Sequence, residues 1–420
     1  MIDRRSLLRS SLLGLAGSTF LFRPRSGAAA EPPRTRATPR SGAGPHPGVV
    51  TPDGSTLSWT WDHGVKVFHL VAEPVKRQFA PGLTVNCWGY NGQAPGPTIE
   101  AVEGDRVRIL VTNKLPEATS VHWHGVLLPN GMDGVSGLNQ PVIAPGETFQ
   151  YEFTLRQNGT QMYHPHFDEM TQIAQGMMGF FVIHPREAPA VNVDRDFCIF
   201  LHEWAIRPGT ATPDPTVMTD FNVFTFNGRV YPGTSPLVAR QGQTVRLRFA
   251  NLSMDSHPMH LHGVHFRITG TDGGRIPESA QWPESTVNVP PGTTRDVDFV
   301  ADNPGDWALH CHKTHHTMNQ MGHGLPLMLG VDTTGLDEKV KQLLPEYMAM
   351  GQAGMGNMMM MGAPRNSIPM LGGEGPSGPI DMGGMFTIVK VREGLSSYAD
   401  PGWYTYPSGT QAHKVAGKKS

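Results

Sequence analysis

Two stretches of this chain repeat one pattern of paired histidines, and that repetition limits the fold more than any other feature. Tyr90-Asn91-Gly92, Gly104-Asp105-Arg106-Val107-Arg108 and His122-Trp123-His124-Gly125 return as Phe226-Asn227-Gly228, Gly242-Gln243-Thr244-Val245-Arg246 and His260-Leu261-His262-Gly263. Pro145-Gly146 before Tyr163-His164-Pro165-His166 likewise returns as Pro291-Gly292 before Leu309-His310-Cys311-His312. The chain reads as two copies of one β unit, 60–186 and 196–332, joined by a short Pro/charged link. Each copy has the size of a β-sandwich, and the period is far too long for a solenoid. Short Val/Ile/Thr/Phe runs bounded by 49 Gly and 37 Pro make the class all-β. Strands such as Arg106–Thr112 and Thr244–Phe249 are expected to alternate, with one buried face.

The repeated pairs also specify chemistry. Residues i and i+2 of a strand share a face, so His310 and His312 point one way while Cys311 points the other. A metal on Cys311 and a cluster on the two imidazoles would then be joined through covalent backbone, which suits single-electron transfer. Further donors for the thiolate-bound metal are His257, His316 and Met321, at fixed offsets from the pairs. Two imidazoles, a thiolate and a weak thioether describe a blue-copper site. Zinc has no use for an axial methionine or for eight further paired imidazoles. A single His-x-His in a strand is usually incidental; four at repeat-equivalent positions are not. The first copy holds Thr119, Pro165 and Met170 in the slots of His257, Cys311 and His316, so no blue copper is expected there.

These segments resemble the multicopper oxidases over nearly all of residues 60–332. The resemblance implies two cupredoxin-like Greek-key β-sandwich domains, the second with the type 1 copper, plus a Met-rich C-terminal extension over 333–420. It implies four coppers per active unit: type 1 on His257, Cys311, His316 and Met321; type 2 on His122 and His260; and a type 3 pair on His124, His164, His166, His262, His310 and His312. Asp133, in Asn130-Gly-Met-Asp-Gly134, lines up with a family acid near the type 2 copper. Two positions depart from the family. Val264 stands where a non-ligand histidine is common, and Thr317 where an acid often is, which leaves Asp168 or Glu169 as substitutes in proton delivery. Only 91 positions separate His166 from His257, too few for a third domain. The likeness is therefore to two-domain small laccases, which assemble as homotrimers with the three-copper cluster at subunit interfaces. Two-domain nitrite reductases keep type 1 copper in the first domain, where this chain lacks it.

The ends carry other information. Arg4-Arg5, an apolar run near Leu12–Phe22 and Ala28-Ala29-Ala30 read as a twin-arginine signal peptide over 1–30, placing the protein in the periplasm or outside the cell. Residues 31–59 then read as a flexible leader. Loss of the signal leaves 29 basic against 35 acidic residues, with no patch for nucleic acid and no second apolar run for a membrane span. Cys87 and Cys198 are expected to be buried small hydrophobes, with a bridge between them as the alternative. Helical periodicity covers Leu336–Tyr347. Ten of the 22 methionines then fall within 348–385: Met348, Met350, Met355, Met358, Met359, Met360, Met361, Met370, Met382 and Met385. Thioethers favour Cu(I), so this stretch reads as a copper-handling segment, with low-complexity linker as the plain alternative. A final strand-like piece, Met385–Val391, is expected to dock back onto the domains. The partners expected are O2 and a reducing substrate: phenols and related aromatics, or Cu(I) in copper tolerance, with Mn(II) or Fe(II) as alternatives. A copper store would need no such wiring.

Overall fold

The computed structural model describes residues 46–187, 192–207, 209–319, 335–343, 345, 365–370 and 372–415. The expected signal peptide, Met321 and the methionines from 348 to 361 lie outside these residues. The chain is built from strands, with two short α-helices, Glu169–Ala174 and Leu336–Leu343, among the described residues. No helix there is long and apolar enough to cross a membrane.

Two sandwiches follow one plan. In the first, Val65–Ala80 pairs in parallel with Arg106–Asn113, which pairs antiparallel with Thr148–Thr154. In the second, Arg195–Trp204 pairs in parallel with Thr244–Asn251, which pairs antiparallel with Thr293–Val300. The facing sheet of the first unit is Ile99–Val102, Gly179–His184 and Gly159–Tyr163. That of the second is ordered Leu237–Arg240, Phe386–Arg392, Gly305–Cys311, His257–Leu261 and Thr286–Val289. The strand-like piece near the C-terminus is thus an inner strand of the second sandwich, hydrogen-bonded to the strand that ends at Cys311.

Burial follows sequence pattern where one face meets solvent. Arg106–Asn113 alternates strictly, its Val107, Ile109 and Val111 entering a core with Phe68, Trp123 and Phe181. Thr244–Asn251 does not alternate as expected: Arg248 and Ala250 are buried as well as Leu247 and Phe249. Its second face packs against the first sandwich, where Ala250, Cys198 and Phe200 meet Met162 and Phe180. Arg248 is tolerated there because Asp196 receives two of its N–H groups at 2.7 and 2.8 Å, and Thr160 of the first sandwich a third at 2.7 Å. Cys87 and Cys198 are buried free thiols in separate apolar clusters, so no bridge joins them.

The described methionines of the extension are core residues. Met385 is fully buried in the second core, Met370 is buried, and Met382 packs beside Tyr231 and Phe386. For these three the reading as flexible copper ligands is corrected: the turn leading into Phe386–Arg392 needs apolar filling. Gly384 lets this segment cross the His316 loop; a Cβ there would collide with the His316 carbonyl.

Candidate metal centres

Strand pairing decides which donors meet. His257–Leu261 lies antiparallel to Gly305–Cys311, with His260 opposite His310 and Met259 opposite Cys311. Alternation then sends Met259 and Cys311 into the apolar core and His260 and His310 out of it. Beyond Cys311 the chain turns through a 3-10 segment, Thr314–Thr317, that brings His316 back over the thiol.

The result is a three-donor pocket closed to solvent. His257, Cys311 and His316 are each 0% exposed. Cys311 Sγ lies 3.4 Å from His316 Nδ1 and 3.8 Å from His257 Nδ1, and the two nitrogens are 3.1 Å apart. Ser253 Oγ holds His257 Nε2 at 2.7 Å, leaving Nδ1 aimed at the sulfur. Phe224 stacks on the His316 ring at 4.0 Å. Burial pushes the Cys311 thiol up to about 12 and His257 down to about 3, so without a cation these two donors are neutral.

Eight further imidazoles form two tetrads. In the first, His122 Nδ1 is held by the Asp133 carbonyl at 2.8 Å, and the Asp133 carboxylate lies 3.5 Å from the same nitrogen. Gly134 permits this approach, because a Cβ there would collide with the Val121 carbonyl. His164 Nδ1 donates to Pro165 O and its Nε2 faces His124 Nδ1 at 3.2 Å. His166 packs 5.5 Å from His122, ring to ring. In the second tetrad His260 Nδ1 is held by Ser285 O at 2.7 Å, and His310 Nδ1 by Cys311 O at 2.9 Å. His262 and His310 meet at 3.1 Å, and His312 lies 5.5 Å from His260. The copies thus repeat the ring tethers as well as the sequence, each holding the first and third histidines at Nδ1 and turning their Nε2 atoms away from the tethering carbonyls. No ring of one tetrad contacts a ring of the other among the described residues.

The candidate proton groups are placed unequally. Glu169 lies 3.6 Å from His164 and 3.8 Å from His166. Asp168 is exposed, in the left-handed region at φ 44°. Thr317 is buried and donates to Thr314 O.

Sequence reasoning missed the support around the buried pocket. Asn251 accepts from Ser253 N and Oγ, which aims Ser253 at His257. Glu203, buried and pushed up to about 7 by burial and the nearby Asp255, accepts the N–H groups of Met254 and Asp255 just before His257. The repeat held a signal for Ser253. Asn113 makes the equivalent bonds in the first copy but has Leu115 where Ser253 stands, and only the copy with the thiol has the hydroxyl.

Two family models, both described as multicopper oxidase, match residues 72–188 and 207–326. Laccase-2 of Botryotinia fuckeliana is 31% identical over 308 residues, covering 63% of this chain and 51% of that one. Copper resistance protein A of Escherichia coli is 30% identical over 233 residues, covering 44% and 38%. The chain therefore spans about two fifths to one half of the length of these relatives. The Blue Copper Oxidase from Nitrosomonas europaea superposes with a TM-score of 0.59 at 25% identity, over 80% of this chain and 91% of that one.

Proposed function

This chain belongs to the multicopper oxidases, and on that footing we propose that it couples one-electron oxidation of a reducing substrate to four-electron reduction of O2 to water. The observation that carries the proposal is the convergence of Cys311 Sγ with Nδ1 of His257 and His316 in a sealed pocket. A thiolate and two imidazoles converging in a sealed pocket suit copper in electron transfer. Bound copper supplies the one-electron steps and the centre at which oxygen is reduced.

The chain's own part is to hold, orient and exclude. His257, Cys311 and His316 would hold the type 1 ion, with Met321 as a further ligand. Ser253 fixes the His257 ring, and Phe224 covers His316 against water. Cys311 is joined through its own backbone to His310 and His312, a covalent link between the pocket and the second tetrad. His122 and His260, each tethered at Nδ1, offer Nε2 to the type 2 ion. His124, His164, His166, His262, His310 and His312 hold the type 3 pair. Asp133 keeps His122 in register and handles protons beside it.

Assembly completes the larger site. Each tetrad is half of a ligand set, and the two halves do not touch within one chain. A homotrimer that sets the first tetrad of one protomer against the second tetrad of the next completes it. The domains are 60–186 and 196–332, the second gaining Phe386–Arg392 from the extension. Export by the twin-arginine route places the trimer in the periplasm or outside the cell.

Laccase-like phenols and related aromatics are the first class of donor. Oxidation of Cu(I) is the second reading, favoured by the Met-rich stretch and the likeness to a copper resistance protein. Oxygen uptake by copper-loaded protein of measured mass, with a phenol, Cu(I) and Mn(II) in turn, tests both. Four donor electrons per O2 without peroxide are expected. No uptake with any donor would overturn the function, and Cu(I) oxidation lost alone on replacing Met358–Met361 would assign the tail to metal handling.

A further inference from the structure

The internal repeat gives a template for a surface that one copy covers and the other does not. In the first sandwich the sheet leading to His164 lays its outer face on the second sandwich, where Met162, Phe180 and Val182 meet Cys198, Phe200 and Ala250. Thr160 on that face donates to Asp296 at 2.7 Å, and its carbonyl accepts from Thr294 at 2.9 Å. Strand pairing puts Asp306, Ala308, Ile388 and Lys390 in the slots of Thr160, Met162, Phe180 and Val182. Among the described residues, the charged part of this second face meets the chain's own C-terminal segment. Asp306 accepts the N–H of Tyr404 at 2.8 Å, and Lys390 donates to Asp400 at 2.6 Å and to Gly402 O at 3.2 Å. Lys390 is buried, and a buried ammonium needs such partners.

That segment is an arm. Residues 393–415 form no helix or strand, and all but Leu395 and Tyr404 are exposed. Its foot is Asp400–Tyr404, and it shows solvent Trp403, 42% exposed, and Tyr406, 44% exposed. The Trp403 ring is held 4.9 Å from Lys390 Nζ, and Tyr406 packs on Tyr404 at 5.6 Å. Fixed aromatic rings of this kind are what the centre of a protein interface uses.

The repeat also names the counterpart. In the first sandwich Val67, Val71, Leu110 and Gln150 stand in the slots of Asp196, Phe200, Arg248 and Asp296, on the face that the second sandwich offers to the first. There they meet solvent: Val67, Val71 and Leu110 are half-buried and Gln150 is exposed. The ionic group of the covered face is thus replaced by an apolar strip. Bare Asp306 and Lys390 could not lie on such a strip without losing their water. The arm satisfies both charges and presents rings in their place.

We propose that the arm is a joint between protomers, laying Trp403 and Tyr406 on the Val67, Val71 and Leu110 strip of a second copy's first sandwich. This rests on the shared-cluster reading above. The contact is head-to-tail, as a closed ring requires, and it repeats between chains the packing that joins the two sandwiches within one.

The test uses the copper-loaded full chain, diluted in steps and followed by sedimentation and oxygen uptake. Trp403→Ser/Tyr406→Ser and, on the opposite face, Leu110→Glu are each expected to raise the dissociation midpoint of the trimer by about tenfold or more. Blue absorption should stay, because His257, Cys311 and His316 lie in one chain, and it shows that the variants fold. A benzophenone side chain at position 403, in mixed light and heavy isotope-labelled protein, is expected to cross-link to Val65–Ala80 or Arg106–Asn113 of the other copy. An unchanged midpoint in the arm variant, or cross-links confined to one chain or to other segments, would overturn the joint while leaving the shared cluster standing. A native protein that takes up oxygen as a monomer would overturn the shared cluster and the joint together. A trimer without oxygen uptake would overturn the oxidase reading alone, and the midpoints and cross-links would still decide the joint.

Discussion

His257 and His316, 59 positions apart in sequence, bring their Nδ1 atoms to 3.1 Å of each other in a pocket sealed from solvent. Two imidazole rings gain little from such an approach beyond one hydrogen bond, yet Cys311 Sγ closes on both. Three ligand atoms around one cation gain far more, and the pocket is shaped for that.

Ser253 is the lever on this geometry. Ser253→Ala removes the partner of His257 Nε2 and frees the ring to turn. Loss of such a second contact weakens metal binding by about ten- to a hundredfold. Titration of the metal-free chain with copper, followed by the type 1 absorption, is expected to give that shift with the fold unchanged.

Copper uptake at this pocket should depend on pH through the thiol. Burial pushes Cys311 up to about 12, so at neutral pH its proton must leave when the metal binds, whereas His257, pushed down to about 3, has none to lose there. Apparent affinity is expected to rise about tenfold per pH unit from this thiol. Calorimetry in buffers of different ionisation enthalpy measures the proton released.

The metal-free chain should be weakened by acid. Burial pushes His164, His202 and His257 down to about 3 each, against 6.5 when unfolded. Between those values the unfolded state binds more protons, so stability is lost as pH falls, by about 1.4 kcal/mol per unit and group. His202→Phe, at a buried histidine that is not itself a metal ligand, should flatten the fall of the urea midpoint between pH 6.5 and pH 4; an unchanged slope would contradict the assignment.

Arg248 is paired with Asp196 and Asp296 of its own sandwich and reaches the first sandwich through Thr160. Arg248→Met leaves two buried carboxylates without the guanidinium that bonds them, a loss of about 3–5 kcal/mol. Scanning calorimetry of the metal-free chain is expected to record a drop of several degrees, and no drop would show that these buried ion pairs do not stabilise the fold.

The proposed division of the ligand set between protomers predicts complementation. A His122→Ala/His124→Ala chain and a His260→Ala/His262→Ala chain are each expected to be inactive. Co-assembled, they share an interface that pairs two intact tetrads, and part of the oxygen uptake should return. Persistent inactivity in a mixed trimer of confirmed mass would contradict a shared cluster.

What the sequence made legible was local. The period of two fixed which histidines share a face, and the repeat fixed the equivalence of the tetrads, because both depend only on neighbours along a strand. The inner strand Phe386–Arg392 was visible as a strand but not in its place, since its partners lie some 80 and 150 residues away. Arg248 looked like an outward residue because nothing in its own strand announces that a second sandwich covers that face. The grip of Glu203 on the turn before His257 was equally hidden, as it joins segments about 50 residues apart.

The central claim is that Cys311 holds copper as a thiolate, and absorption spectroscopy of the copper-loaded chain beside its Cys311→Ser variant tests it most directly. An intense blue charge-transfer band in the native protein, absent from a variant that still folds and still takes copper at its tetrads, is the predicted result. A colourless native protein with a full complement of copper would contradict it.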